Sequence, residues 1–296
     1  MKPPGYHCTT AFVINRTRTI QYGFGSTYHR RNGIGLDVAQ QLDATGLWKI
    51  HIIGSNLDRG EKAAASLKNT TFHQVDVTKY EQQSATFDKI FNEEKRLDFV
   101  FANAGIAEDT VFFSRHDTGI PPRPDISGVT DINLTGAIYT SYLAMHYFRR
   151  SPEETMGKRN LIITSSIGGL YPCMHTPVYT ATKHALVGFT RSVGKQLWDE
   201  GVKVNAICPG VVITPMITPE LRAFFSERVL ITMSDVTRVV LKLISEDDVT
   251  DSKGTFVSRD RLHSQAILVS GEKYYCVDMP EYFDEETQLT HQHMMG

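Results

Sequence analysis

The sequence predicts an α/β fold, a doubly wound parallel sheet of seven strands in one domain, and three observations predict it. Short apolar runs alternate with helix-period patterns along the 296-residue chain. Most of these runs are largely apolar rather than strictly alternating, as strands covered on both faces require. No internal repeat or low-complexity linker divides the chain, so 1–296 reads as one unit.

The elements follow in order. Ala11–Ile14 reads as the first strand, and Leu36–Leu42 as a helix opened by Asn32-Gly33-Ile34-Gly35. Ile50–Ile53 and Phe72–Val75 are the next strands. Thr78 followed by Glu81 has the form of a capping box, and Phe87, Ile90 and Phe91 then recur on one helical face before the strand Leu97–Phe101. Leu161–Thr164 is the fifth strand. A long helix is expected from Pro177 to Trp198, with Ala185, Phe189, Val193 and Leu197 on its buried side. Val202–Ile207 and Ala266–Val269 complete the sheet, joined by right-handed crossovers. The acidic tail 279–296 reads as a surface segment, and its His291 and His293 are too few to indicate a metal site.

Composition excludes other classes. With 41% hydrophobic and 22% charged residues the chain is globular, and a net charge of −2 with interspersed signs provides no field for nucleic acid. No apolar run is long enough for a bilayer, and no signal peptide is readable, so a cytoplasmic location is expected. Cys8, Cys173, Cys208 and Cys276 lack paired spacing and read as free, mostly buried thiols.

Tyr179 and Lys183 are the most informative pair: four residues apart on a predicted helix, they share a face. A free tyrosine, with a pKa near 10, is too weak an acid for proton transfer at neutral pH. An ammonium at about 4 Å lowers that value by on the order of three units. Such a pair is also common on exposed helices, so context must decide. Ser166, thirteen residues earlier, follows a strand end, where parallel sheets carry their functional loops. Its hydroxyl can bind a substrate oxygen or simply cap a turn. Asn133 can anchor a water that links the lysine to solvent, or serve the fold alone.

In order and spacing these residues resemble the short-chain dehydrogenase/reductase family over nearly the whole chain. Tyr179-Thr180-Ala181-Thr182-Lys183 is similar to its Tyr-x-x-x-Lys motif, with Ser166 and Asn133 in the matching positions. Ala102-Asn103-Ala104-Gly105 resembles its Asn-Asn-Ala-Gly segment with the first asparagine replaced, and Cys208-Pro209-Gly210-Val211-Val212-Ile213-Thr214 resembles its Pro-Gly turn. Within the family, Pro177–Ser192 and Val204–Gly210 are most similar to 15-hydroxyprostaglandin dehydrogenase-like members, and the chain also looks like fungal enzymes that tailor secondary metabolites.

The resemblance implies a Rossmann-type NAD(P)-dependent oxidoreductase moving a hydride between nicotinamide and a small-molecule alcohol or ketone. Tyr179 would be the acid/base, Lys183 its partner and ribose holder, Ser166 the substrate-oxygen ligand and Asn133 the relay support. Gly33, Ile34, Gly35, Ser55, Asp76, Asn103, Gly105, Pro209, Gly210, Val212 and Thr214 would meet the dinucleotide, with Asp76 beside the adenine and Pro215–Met233 as the substrate lid. A homo-oligomer is the family's usual state.

The chain departs from the pattern at two places. Seventeen residues, 15–31, stand between Ile14 and Asn32, where the glycine turn needs about four; Gly23 and Gly25 lie too far from Gly33 to form it. A second segment, 255–265, intervenes before the last strand. Both read as insertions, either lengthened loops or retained non-coding sequence. A broken glycine loop keeps open a catalytically silent dinucleotide-fold scaffold as the alternative. Gly54 stands where NAD-specific members carry an acid, and Arg59 follows it closely, which favours NADP(H) over NAD(H). Asp58 beside Arg59 works against that reading.

Overall fold

The structure, a computed structural model, describes residues 11–16, 33–108, 110–115, 117, 119–214, 222–245 and 247–295. The strands of the main sheet are β1 (Ala11–Arg16), β2 (Trp48–Gly54), β3 (Thr70–Gln74), β4 (Phe99–Ala102), β5 (Arg159–Thr164) and β6 (Val202–Pro209). β7 (Val211–Val212) pairs with β8 (Leu230–Ile231), and β9 (Val249–Thr250) with β10 (Phe256–Val257), in two small ribbons. β11 (Ala266–Ser270) and β12 (Lys273–Val277) return to the main sheet, whose order is β12-β11-β6-β5-β4-β1-β2-β3.

The sheet is mostly parallel, but it has eight strands rather than seven, and two run against the rest. β12 turns back on β11 through Gly271, whose φ of +62° suits a tight reversal. β1 also lies antiparallel to both neighbours: Ala11 faces Ile53 and Ala102, while Arg16 faces Trp48. A short strand-to-helix turn would hold β1 parallel. Here the sequence from Arg16 to Gly33 is long enough to cross the sheet, so either direction is sterically accessible.

Three helices, α1 (Ile34–Ala44), α2 (Leu57–Ala65) and α3 (Tyr80–Glu94), follow in the first half. Next come α4 (Ser127–Thr130), a π turn over Asp131–Thr135, α5 (Gly136–Arg150), α6 (Pro177–Asp199), α7 (Met233–Ile244) and α8 (Glu285–Met294). Strand residues alternate between two cores. Ile50, Ile52, Phe99 and Phe101 pack with Val38 and Leu42 of α1 and Val236, Val239 and Val240 of α7. Ile53, Val100, Leu161 and Ile163 pack with Phe87 and Ile90 of α3, Phe148 of α5 and Leu186 of α6. Burial on both faces is why these runs are nearly continuous apolar sequence.

Two helix details differ from expectation. α3 begins at Tyr80 after Lys79, and no Thr78–Glu81 capping box forms, because Asp76 accepts hydrogen bonds from both the amide and the hydroxyl of Thr78. The buried stripe of α6 is Thr182, Lys183, Leu186, Val187, Thr190, Gly194 and Leu197, while Ala185 is exposed and Phe189 and Val193 are half-buried. Within 255–265, Leu262 is fully buried, Asn205 of β6 bonds both Leu262 O and Gln265 N–H, and His263 stacks on Trp198 at 5.0 Å. Segment 15–31, with Gly23 and Gly25, lies outside the described residues from Thr17 onward.

Candidate active site

The parallel strands end on one edge, and there the chemistry-bearing residues collect. β5 delivers Thr164, Ser165 and Ser166, the last capping a 3₁₀ turn over Ile167–Gly169 by accepting from Gly168 N–H at 3.1 Å. Ser166 therefore does have the turn-capping role. Ser166 Oγ and the Tyr179 ring both border Gly168: a Cβ there would sit 3.6 Å from Ser166 Oγ and from Tyr179 Cε1. The turn lies close on α6, since a Cβ on Gly169 would be 2.2 Å from Ser165 Oγ and 2.7 Å from the Lys183 carbonyl oxygen.

Lys183 is 3% exposed, and its Nζ donates to Thr164 O at 2.8 Å, 5.5 Å from the centroid of the Tyr179 ring. Burying an ammonium is costly unless hydrogen bonds compensate, and this bond places it under the phenol-bearing turn. Ser165 Oγ donates to the Lys183 carbonyl at 2.8 Å, and Thr164 Oγ1 to Asn103 Oδ1 at 2.9 Å. Asn133 is fully buried in the π turn; its amide accepts from Ile106 N–H at 2.7 Å and donates to Ile106 O at 3.0 Å. Gly105 lets the backbone approach both groups closely, because a Cβ there would stand 3.3 Å from Asn133 Oδ1 and 3.6 Å from Lys183 Nζ. Asn133, Ser166, Tyr179 and Lys183 are thus gathered at one corner.

The residues expected to meet a dinucleotide lie along the same edge. Gly33 is the N-cap of α1, and among the described residues no side chain caps that end, which makes the first-turn N–H groups of Ile34 and Gly35 candidates for an anion. Because β1 runs the other way, a pyrophosphate would rest on the α1 terminus rather than on a β1–α1 turn. Gly54 ends β2, Ser55 follows, and Asn56 caps α2 by accepting from Arg59 N–H at 2.9 Å, so Arg59 lies in the first turn. Asp76 is half-buried and engaged by Thr78. Pro209 closes β6, Gly210 N–H donates to Val269 O, Val212 is buried in β7, and half-buried Thr214 follows. The α1 terminus, without a side-chain cap among the described residues, and the close backbone approach at Gly105 fit a nicotinamide dinucleotide. Part of the expected lid, 215–221, lies outside the described residues; Phe224 beyond it is 86% exposed.

Sequence reading missed Thr164, Ser165, Gly169 and Glu108. The Ser-Ser and Gly-Gly doublets at 165–166 and 168–169 were the available signal for Ser165 and Gly169. Glu108 has no local signal, yet its Oε2 accepts the Tyr179 N–H at 2.7 Å. Nearby, burial pushes the Cys208 thiol up to about 11, which makes it a packing group rather than a nucleophile. Cys208 is buried, whereas Cys276 is half-buried and Cys173 exposed; all three are free.

Comparison with known proteins places this geometry in context. Residues 30–223 match the family model described as short chain dehydrogenase, a span that begins after β1. The short-chain dehydrogenase/reductase prx7 of Penicillium rubens is 38% identical over 263 residues, covering 85% of this chain and 93% of its own. The 5'-hydroxyaverantin dehydrogenase of Dothistroma septosporum is 30% identical over 257 residues, 81% of this chain and 82% of its own. The 15-hydroxyprostaglandin dehydrogenase, NAD(+), of Homo sapiens is 34% identical over 194 residues, 62% and 66%. A solved structure, ElxO with NADP bound, superposes with a TM-score of 0.64 at 24% identity, covering 81% of this chain and 93% of that one, and shows a common fold.

Proposed function

The chain belongs to the short-chain dehydrogenase family and is an oxidoreductase acting with a nicotinamide dinucleotide on hydroxyl or keto groups, and we propose that Tyr179, Lys183, Ser166 and Asn133 carry its chemistry. The observation that carries this reading is the buried Lys183 ammonium beside the Tyr179 ring, with Ser166 Oγ and that ring both bordering Gly168. The bound nicotinamide supplies or accepts the hydride. In alcohol oxidation the Tyr179 phenolate takes the hydroxyl proton, and in ketone reduction the phenol returns it. Lys183 favours the phenolate through its charge and holds the ribose. Ser166 Oγ orients the substrate oxygen by donating to it. Asn133, through Ile106, holds the backbone beside Lys183 and supports the path by which the proton reaches solvent.

Gly33, Ile34 and Gly35 would take the pyrophosphate, Asp76 the adenine edge, Asn103 and Gly105 the middle of the cofactor, and Pro209, Gly210, Val212 and Thr214 the carboxamide end. NADP(H) is the favoured cofactor. Gly54 presents no carboxylate to repel a 2′-phosphate, and Arg59 lies in the adjoining first turn. The prostaglandin relatives, named for NAD(+), are the competing precedent. The fungal relatives support a secondary-metabolite alcohol or ketone as the substrate. Nothing among the described residues or the comparisons favours the catalytically silent alternative.

The family resemblance supports a homo-oligomer, testable by sedimentation, and Tyr142 and Ala185, both exposed, leave apolar surface for it. The free thiols suit a reducing, cytoplasmic location. We read the chain as one domain, with 15–31 and 255–265 as insertions; transcript sequencing that joins their flanks directly would identify them as non-coding. The deciding assay follows nicotinamide absorbance with both cofactors on one substrate. The expected result is a higher kcat/KM with NADP(H), reversed by Gly54→Asp. A wild-type preference for NAD(H) would overturn the cofactor assignment, and no turnover with either cofactor across alcohols and ketones would count against the catalytic one.

A further inference from the structure

One short loop touches three of the four catalytic positions. Gly105 lies against Asn133 and Lys183, Ile106 is bonded through both its N–H and its carbonyl to Asn133, and Glu108 accepts the backbone N–H of Tyr179. The last bond is unusual in origin. Helix α6 makes no side-chain cap of its own: Thr176 at the N-cap position forms none, and Pro177 at the first helical position has no N–H to give. The first-turn amides need acceptors. That of Tyr179 is satisfied by a carboxylate 71 residues earlier in the chain.

An ordinary cap is local and moves with its helix. Glu108 instead belongs to the loop that leaves β4 and is gripped by Asn133, so its bond sets the α6 terminus relative to the cofactor side of the site. A carboxylate is well suited to the place, because a charge-assisted bond at a helix N-terminus is strengthened by the helix dipole. The amide it holds belongs to Tyr179 itself, and a shift of that backbone atom moves the phenol directly.

We propose that Glu108 is a positioning residue for Tyr179, fixing the phenol relative to the nicotinamide side of the site through the Tyr179 amide; this rests on Tyr179 being the acid/base. Displacements of about 1 Å cost on the order of 10²-fold in rate when reacting groups must align. Loss of this one bond, with the rest of α6 intact, should cost part of that.

The test compares Glu108→Ala, Glu108→Gln and Glu108→Asp in the full-length enzyme. Glu108→Ala is expected to lower kcat by about tenfold or more while the dinucleotide dissociation constant, read by fluorescence titration, stays within about twofold. Glu108→Gln keeps an acceptor oxygen for the amide and should restore most of kcat. If Glu108→Ala does not fold, Glu108→Asp, one methylene too short for the bond, should show the same loss of kcat at unchanged dinucleotide affinity. A kcat within about twofold of wild type in Glu108→Ala, whatever its melting temperature, overturns the proposal, as does a Gln variant no better than Ala. Tyr179→Phe in the same assay separates the two levels. An active Phe variant removes Tyr179 from the acid/base role, whereas an inactive one beside a normal Glu108→Ala removes only the role given to Glu108.

Discussion

The catalytic corner and the dinucleotide corner share one sheet edge, yet they are held in different ways. Around Tyr179 the bonds reach far along the chain: Lys183 to Thr164, Ser165 to Lys183, Asn133 to Ile106 and Tyr179 to Glu108 join residues 18 to 71 positions apart. At the adenine end of the dinucleotide corner the bonds are local, such as Arg59 N–H to Asn56 and Thr78 to Asp76, whereas Asn103 and Gly210 are again bonded across the chain, to Thr164 and Val269. The difference teaches what each job demands. Proton transfer needs side chains from separate elements within fractions of an ångström, whereas an anion can be received by the open amides of one helix end.

The largest effect that would break this contrast is chemical. Tyr179→Phe should lower turnover by about 10²–10⁴-fold with dinucleotide affinity and melting temperature nearly unchanged. Lys183→Met should lose turnover and affinity together; loss of only one would divide the roles given to that ammonium. Next in size is Gly169→Ala. Its methyl would collide with Ser165 Oγ and the Lys183 carbonyl, and denaturant titration should show a loss of about 1–3 kcal/mol. An unchanged stability would mean that the turn is not locked onto α6.

The dinucleotide half has a different weakness. His51 of β2 and His73 of β3 are buried and joined Nδ1 to Nε2 at 3.1 Å, with Lys49 and Lys89 nearby. Burial and these cations push His51 down from 6.5 to about 3, although Glu94 lies 3.4 Å away, and His73 is lowered as well. Both are therefore neutral when folded and bind protons on unfolding, so stability falls as pH drops below 6.5. At about pH 5 the His51 contribution amounts to about 2 kcal/mol. His51→Gln should flatten the fall in unfolding midpoint between neutral and acid pH; an equally acid-sensitive variant would place the sensitivity elsewhere. The smallest effect is at Ser166. Ala there loses the bond to Gly168 N–H, worth about 1 kcal/mol, and melting beside steady-state kinetics should show a larger loss in kcat than in stability. If activity per folded molecule persists, Ser166 is a turn residue alone.

How much was legible varied with the kind of interaction. The apolar runs placed the strands because burial on both faces leaves a local composition signal. The extra strand β12 was also readable, from Ser270-Gly271-Glu272 followed by Tyr274-Tyr275-Cys276-Val277, but counting strands to seven hid it. Of the stripe expected on α6, Leu197 is buried, whereas Ala185, Phe189 and Val193 lie off the buried face, which carries Thr182, Lys183 and Thr190 beside Leu186 and Val187. Apolar periodicity cannot find a face on which polar and apolar side chains are buried together.

The sequence by itself determined the alternation of strands and helices, the residue set Asn133, Ser166, Tyr179 and Lys183, and the glycine in place of an acid at the end of β2. These are local facts of type and spacing, carried by side-chain chemistry and the two backbone periods. Only the tertiary structure decided the direction of β1, the burial of Lys183 under Thr164 O and the bond from Glu108 to the Tyr179 amide. The strand's direction is free once no short turn constrains it, and a bond between residues 71 positions apart depends on how whole elements stack, which no local window contains.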